Sequence, residues 1–144
     1  MGRRRKPAYL SFRILGLGMI ICLLAASCTR QKAQLLEAPE FKTMLDENPD
    51  AQIVDVRTYD EFYSGHIEGA YNIDIMEPGF KAALDTMDRK KPIAVYCLVG
   101  QRSLKAYEIL IEMKFREIYH LSAGTVAWQR EKYPLEKGAG RMAQ

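Results

Sequence analysis

At 144 residues, with 48% hydrophobic and 27% charged residues and three cysteines, the chain has room for one globular domain and no disulfide framework. Its formal charge of +3 arises at one end: five of the 21 basic residues precede Cys28, and the 16 that follow face 18 acidic ones. Beyond Cys28 no nucleic-acid footprint forms, since the one basic cluster, Arg89-Lys90-Lys91, is short and reads as a solvated loop.

Arg3, Arg4, Arg5 and Lys6 form a basic segment and Ile14 to Ala26 a short apolar one, which together read as a secretory signal over residues 1–27. Arg13 keeps the uncharged run to about fourteen residues, short of the roughly 20 that span a bilayer. The end of that run, Leu24-Ala25-Ala26-Ser27-Cys28, resembles the lipobox of bacterial lipoproteins. The resemblance implies cleavage before Cys28, lipidation of Cys28, and a membrane anchor in the bacterial cell envelope with the domain facing the periplasm or exterior. Cys22 falls in the signal, so Cys97 is left as the free thiol. Residues 28–37, polar at Thr29, Arg30, Gln31, Lys32 and Gln34, read as a lipidated N-terminus and tether.

From Ala38 the chain alternates helix-like and strand-like segments. Pro39 at a first turn, then Phe41, Met44 and Leu45 at helical spacing, predict a helix that ends near Asn48-Pro49. Ile53 to Val56 reads as a buried strand. Thr58 with Glu61 three residues later is a capping-box pattern, and Gly65 can end that short helix. Ala70 to Ile75 predicts a second strand, Phe80, Ala83, Leu84 and Met87 a helix, and Ile93 to Tyr96 a third strand. A helix from about Ser103 to Met113, a strand over Glu117 to Leu121 and a short helix over Thr125 to Arg130 complete a domain placed at 38–137, with 138–144 as a flexible tail. Such alternation indicates an α/β fold whose central sheet is mostly parallel and flanked by helices on both sides.

The strand Ala94-Val95-Tyr96 runs directly into Cys97-Leu98-Val99-Gly100-Gln101-Arg102-Ser103 and then a helix. A cysteine there has its thiolate stabilised by the N–H groups of a tight loop and the positive end of the following helix. Gly100 gives the loop freedom to turn, Arg102 places a permanent cation nearby to orient an anionic donor, and Ser103 adds a hydroxyl or caps the helix. The plainer reading makes Cys97 a small buried hydrophobe at a strand's end. The surrounding Gly, Arg and Ser favour a nucleophile in an anion cradle, at the carboxyl end of a strand where such sheets bind ligands.

These residues resemble a family. Asp55-Val56-Arg57, Glu61-Phe62 and Gly65 to Ile73 are similar to the first signature of the rhodanese-homology domain, Cys97 to Ser103 to its active loop, and Leu121 to Trp128 to its closing segment, with Ala123 where glycine is commoner. The likeness spans nearly all of Ala38 to Glu136. It implies a rhodanese-like fold and a sulfurtransferase: Cys97 takes the outer sulfur of a donor such as thiosulfate or a persulfide, becomes a persulfide, and passes that sulfur to a thiol or cyanide. Leu98 to Ser103 would be the anion-binding loop, and Asp55, Arg57 and Glu61 structural supports. His66 takes a loop-fixing role by family position, and His120, with no motif around it, reads as an ordinary surface or core residue.

Apolar Leu98 and Val99, where many thiosulfate-using members carry basic or polar residues, predict modest thiosulfate activity. Two rival functions remain. One is a non-catalytic or redox-sensing module using the same loop; the other is a cysteine phosphatase, disfavoured because four residues rather than five separate Cys97 from Arg102. No metal or organic cofactor is expected from two histidines and no ligand-spaced cysteines. The expected partners are a small sulfur donor and acceptor and, through the lipid, a membrane, with the domain acting as a monomer.

Overall fold

The computed structural model describes residues 30–142. The signal reading over residues 1–27 and the lipidation reading at Cys28 lie outside them. In chain order the elements are β1 (Lys32–Leu36), α1 (Ala38–Glu47), β2 (Gln52–Asp55), α2 (Tyr59–Ser64), β3 (Tyr71–Asn72), α3 (Phe80–Leu84), β4 (Pro92–Tyr96), α4 (Gln101–Glu112), β5 (Glu117–Leu121), α5 (Gly124–Arg130) and β6 (Arg141–Met142). The strands form one sheet in the order β1-β5-β4-β2-β3-β6, every neighbouring pair parallel.

β4 lies between β5 and β2, buried on both faces, so Ile93, Ala94, Val95 and Tyr96 can be apolar without alternation. The pleat sorts them. Ile93 and Val95 share a core with Phe80 and Leu84 of α3 and Ala106 and Leu110 of α4. Ala94 and Tyr96 share the opposite core with Phe41 and Met44 of α1, Phe62 of α2 and Trp128 of α5. β5 alternates likewise, with Ile118 on the α4 side and Tyr119 and Leu121 on the other. His120 therefore falls on the side of α4.

Local signals explain the helix ends. The Glu61 N–H donates to Thr58 Oγ1 at 3.4 Å while the Thr58 N–H donates to the Glu61 carboxylate at 3.1 Å, closing the capping box of α2. Pro39 sits in the first turn of α1, where its missing N–H costs nothing.

Three expectations need correction. The polar stretch placed in a tether contains β1, paired in register with β5 from Lys32 opposite Glu117 to Leu36 opposite Leu121. An edge strand is held through its backbone, so its side chains need not be apolar and the composition hides it. Gln31 reinforces the strand, its side-chain amide donating to the carbonyls of Ile111 at 3.1 Å and Phe115 at 2.8 Å. The second strand is only Tyr71–Asn72. Ile73 and Ile75 still donate to the carbonyls of Asp55 and Val56, but the Asp74 carboxylate turns the chain by accepting the Met76 N–H at 2.9 Å. Finally, the expected tail holds β6, parallel to β3, and the Gly138 N–H donates to Tyr63 O at 3.0 Å.

If β1 is part of the fold, a chain beginning at Ala38 is expected to melt at least about 5 °C below one beginning at Thr29, as about 1 kcal/mol would require. Equal melting temperatures would return this segment to a tether.

Candidate active site

β4 delivers Cys97 to the end of the sheet, where the chain must turn sharply to begin α4 at Gln101. Gly100 makes the turn in the left-handed region at φ 93°. A Cβ there would also lie 1.9 Å from Ser122 O, so the position excludes every other residue on two grounds. The closing segment grips the loop from outside: the Thr125 N–H donates to Cys97 O at 2.9 Å and the Val126 N–H to Leu98 O at 3.1 Å. Both are first-turn amides of α5, which have no partner within their own helix. Gly124 permits the approach, since a Cβ on it would meet Cys97 O at 2.2 Å.

Inside this turn Cys97 is buried, 1% exposed as a residue. The Gly100 N–H donates to Sγ at 3.2 Å, and the Ser103 Oγ lies 3.3 Å from it. Burial pushes the thiol up, but the hydroxyl of Ser103 and the backbone N–H groups of Ser103, Val99 and Gly100 outweigh it and hold the thiol below its ordinary value. The loop therefore favours an anion on sulfur through oriented dipoles.

Arg102 is placed differently from expectation. Both ends of its guanidinium fork are taken by Glu61, with donations to Oε2 at 2.8 Å and Oε1 at 2.6 Å, so it braces α2 against α4 in place of reaching for an anionic donor. The Arg102 guanidinium, with the backbone and hydroxyl of Thr58, lowers the Glu61 carboxyl to about 2 against the opposing effect of burial. Leu98 and Val99, the two residues that follow Cys97, are 41% and 54% exposed, so the surface the loop presents to solvent is apolar there, and Gln101 is exposed as well.

Asp55 and Arg57 stand at the end of β2 and do not touch Cys97. Arg57 Nε donates to both Asp55 oxygens at 2.9 and 3.0 Å, and its terminal nitrogen donates to Asp55 Oδ2 and to Gly65 O, each at 2.6 Å. The pair is buried and ties the end of α2 to the sheet. His66 stacks on Phe62 at 3.9 Å and exchanges backbone hydrogen bonds with Glu136, each 2.8 Å. His120 is the residue the sequence reading missed. It is 3% exposed, and its Nε2 lies 2.9 Å from Ser103 Oγ and 3.1 Å from Gly100 O, directly behind the sulfur's hydroxyl partner. Strand parity from Ile118 was the available signal for its face, and the observed pairing of His120 with Val95, two residues before Cys97, brings that face to the sulfur.

Gly100→Ala is expected to lower unfolding free energy by more than about 2 kcal/mol in urea titrations and to abolish fast alkylation of Cys97. A stable, equally reactive variant would show that the loop has another conformation. Because the folded Glu61 titrates below the usual 4.5, its pairing contributes fully above that pH and is lost as pH falls towards about 2. The stability gap between the wild type and Glu61→Gln should thus shrink in urea midpoints measured from pH 6 down to pH 3. A constant gap would place the effect in packing.

Comparison with known proteins agrees with this geometry. The family described as Rhodanese-like domain matches residues 37–131. A tRNA uridine(34) hydroxylase from Yersinia pestis (strain Pestoides F) is 31% identical over 100 residues, which are 67% of this chain and 28% of that protein. The chain thus spans little more than a quarter of the curated relatives it matches. Among solved structures, a thiosulfate sulfurtransferase from Pseudomonas aeruginosa aligns at a TM-score of 0.66 with 26% identity, covering 78% of this chain and 22% of that one. A rhodanese-like domain protein from Staphylococcus aureus aligns at 0.62 with 29% identity, covering 72% and 97%. By the extent of the family match and the loop that carries Cys97, this chain belongs to the rhodanese-like domain family.

Proposed function

We propose that the protein is a sulfurtransferase working through a Cys97 persulfide. The observation that carries this reading is the sulfur itself, buried at the end of β4 and met by the Gly100 N–H and the Ser103 hydroxyl in a turn whose position 100 admits only glycine. In the first step the thiolate attacks the outer sulfur of a sulfane donor. An Sγ–S bond forms, the donor's S–S bond breaks, and its electron pair leaves on sulfite or on the donor's thiolate. In the second step a thiolate or cyanide acceptor attacks the outer persulfide sulfur, and the pair of the Sγ–S bond returns to Cys97. No external oxidant or reductant enters, and sulfur is anionic before and after each transfer, which the N–H groups of the loop accommodate.

The exposed surface of the loop selects among donors. With Arg102 committed to Glu61 and that surface apolar at Leu98 and Val99, little free positive charge meets a small dianion. Persulfide or other organic sulfane donors fit this site better than thiosulfate. The loop is one residue shorter before its arginine than that of the cysteine phosphatases, which argues against a phosphoryl substrate. The lipobox-like end at Cys28 completes the proposal with a lipid anchor in the bacterial cell envelope. No helix among the described residues is long and apolar enough to cross a membrane.

Incubation with an organic persulfide is expected to add one sulfur to the protein's intact mass, removable by a thiol and absent from Cys97→Ser. No gain with any sulfane donor would favour a binding or redox-sensing module. In steady-state assays kcat/KM for thiosulfate should fall at least about tenfold below that for the persulfide, a difference of about 1.4 kcal/mol at the transition state. Equal or faster thiosulfate turnover would overturn the donor assignment.

A further inference from the structure

The hydroxyl of Ser103 has one hydrogen and three neighbours. Oγ lies 3.3 Å from Cys97 Sγ, 3.1 Å from Gly100 O and 2.9 Å from His120 Nε2. Which neighbour receives that hydrogen decides how much the hydroxyl does for the sulfur, and His120 settles it.

Nε2 of His120 lies 3.1 Å from Gly100 O, and a carbonyl oxygen can only accept. A bare Nε2 would set two lone pairs against each other, so Nε2 carries hydrogen. The other ring nitrogen, Nδ1, is buried with no partner among the described residues. A hydrogen on Nδ1 would leave an unmet donor in the core, which native interiors tolerate less than an unmet acceptor. Burial also pushes the imidazole's pKa down, although the Gly100 carbonyl opposes this. The ring is therefore neutral, with its single hydrogen on Nε2.

With Nε2–H directed at Gly100 O and Ser103 Oγ, and the Leu104 N–H donating to the same carbonyl at 2.9 Å, Gly100 O is already supplied with donors. We propose that His120 is a positioning residue: by donating from Nε2 to Gly100 O and Ser103 Oγ, it leaves Cys97 Sγ as the acceptor of the Ser103 hydroxyl hydrogen. The chain of donation runs one way, from ring to hydroxyl to sulfur. His120 then moves no proton during sulfur transfer and is needed as a fixed donor.

The elements packed around the ring offer few competing charges. On α4 the Tyr107 ring is tilted against His120 with centroids 5.9 Å apart, and Arg102 is held by Glu61 of α2. β4 presents Val95 and then Cys97, and β1 places Leu35 opposite in the register. Cys97 is thus the group whose titration reports on the network.

The catalytic meaning of this inference rests on the persulfide reading, but its test needs no turnover. In the full chain, the pH dependence of iodoacetamide alkylation is followed by mass spectrometry on the peptide containing Cys97, which separates it from Cys22 and Cys28. His120→Leu, which removes the donor, is expected to raise the alkylation midpoint by about one pH unit. His120→Gln, whose amide donates from a similar reach without ionising, should restore most of the wild-type midpoint. In a Ser103→Ala background His120→Leu should produce no further shift, because its effect passes through the hydroxyl. An unchanged midpoint in His120→Leu, a shift in His120→Gln as large as in His120→Leu, or the same shift with Ser103 removed would each overturn the proposal. Nitrogen NMR of the His120 ring in the wild type gives an independent reading should a variant fail to fold. A neutral ring with hydrogen on Nε2 at pH 7 supports the proposal, and hydrogen on Nδ1 overturns it. Failure to form a persulfide with the alkylation pattern intact would overturn the sulfur-transfer reading alone.

Discussion

The site depends on the hydrogen bonds that α5 makes to the outside of the Cys97 turn. A trans peptide points its carbonyl and its N–H in opposite directions. When the Val126 N–H takes Leu98 O outward, the Val99 N–H of the same peptide is turned inward, where it helps hold the thiol low. The grip of Thr125 on Cys97 O anchors the start of the turn in the same manner. Gly124 and Gly100 are required on opposite sides of this contact, one meeting the Cys97 carbonyl and the other the Ser122 carbonyl. The sulfur's environment is consequently a property of two segments clamped together, and neither builds it alone.

Charge plays a smaller part at the sulfur than the two signature arginines suggest. Each is matched by a carboxylate, Arg57 by buried Asp55 and Arg102 by half-buried Glu61. Breaking the buried pair would strand a charge in the core, whereas the outer pair faces solvent screening. The groups that touch the sulfur are dipoles, the backbone N–H groups of the loop and the Ser103 hydroxyl, while Arg102 acts on it only through its field. Such dipoles would need no reorganisation if, as proposed, the anion moves from Sγ to an outer sulfur.

Much of this was legible in the chain. The run from Ala94 to Ser103 announces a strand, a turn and a helix because its apolar block, its glycine and its helical spacing are all local. Thr58 and Glu61 announce a cap for the same reason. Non-local facts were hidden. The partner of Arg102 lies 41 residues away in sequence, β1 is held by backbone bonds that leave no trace in side-chain polarity, and β6 depends on pairing with a two-residue strand. His120 falls between these cases. Its strand was read correctly, and counting alternate residues from Ile118 would have put it on the face of α4, but only the register with β4 shows that this face ends at the cysteine.

The neutral ring behind Ser103 suits the proposed sulfur transfer for a reason that follows from the two steps themselves. General acid–base catalysis is called for when a reacting group gains or loses a proton between ground and transition state. In the proposed transfers the attacking thiolate, the persulfide and the departing thiolate are all anions, so a base beside the sulfur would find nothing to accept. A cation would bind the persulfide well and hinder its release to the acceptor. A hydroxyl held in one orientation by a neutral donor avoids both problems, because it favours the anion in each state by a similar amount. Burial of His120 beneath α4, with one nitrogen matched and the other bare, is the arrangement that keeps the ring in that single form.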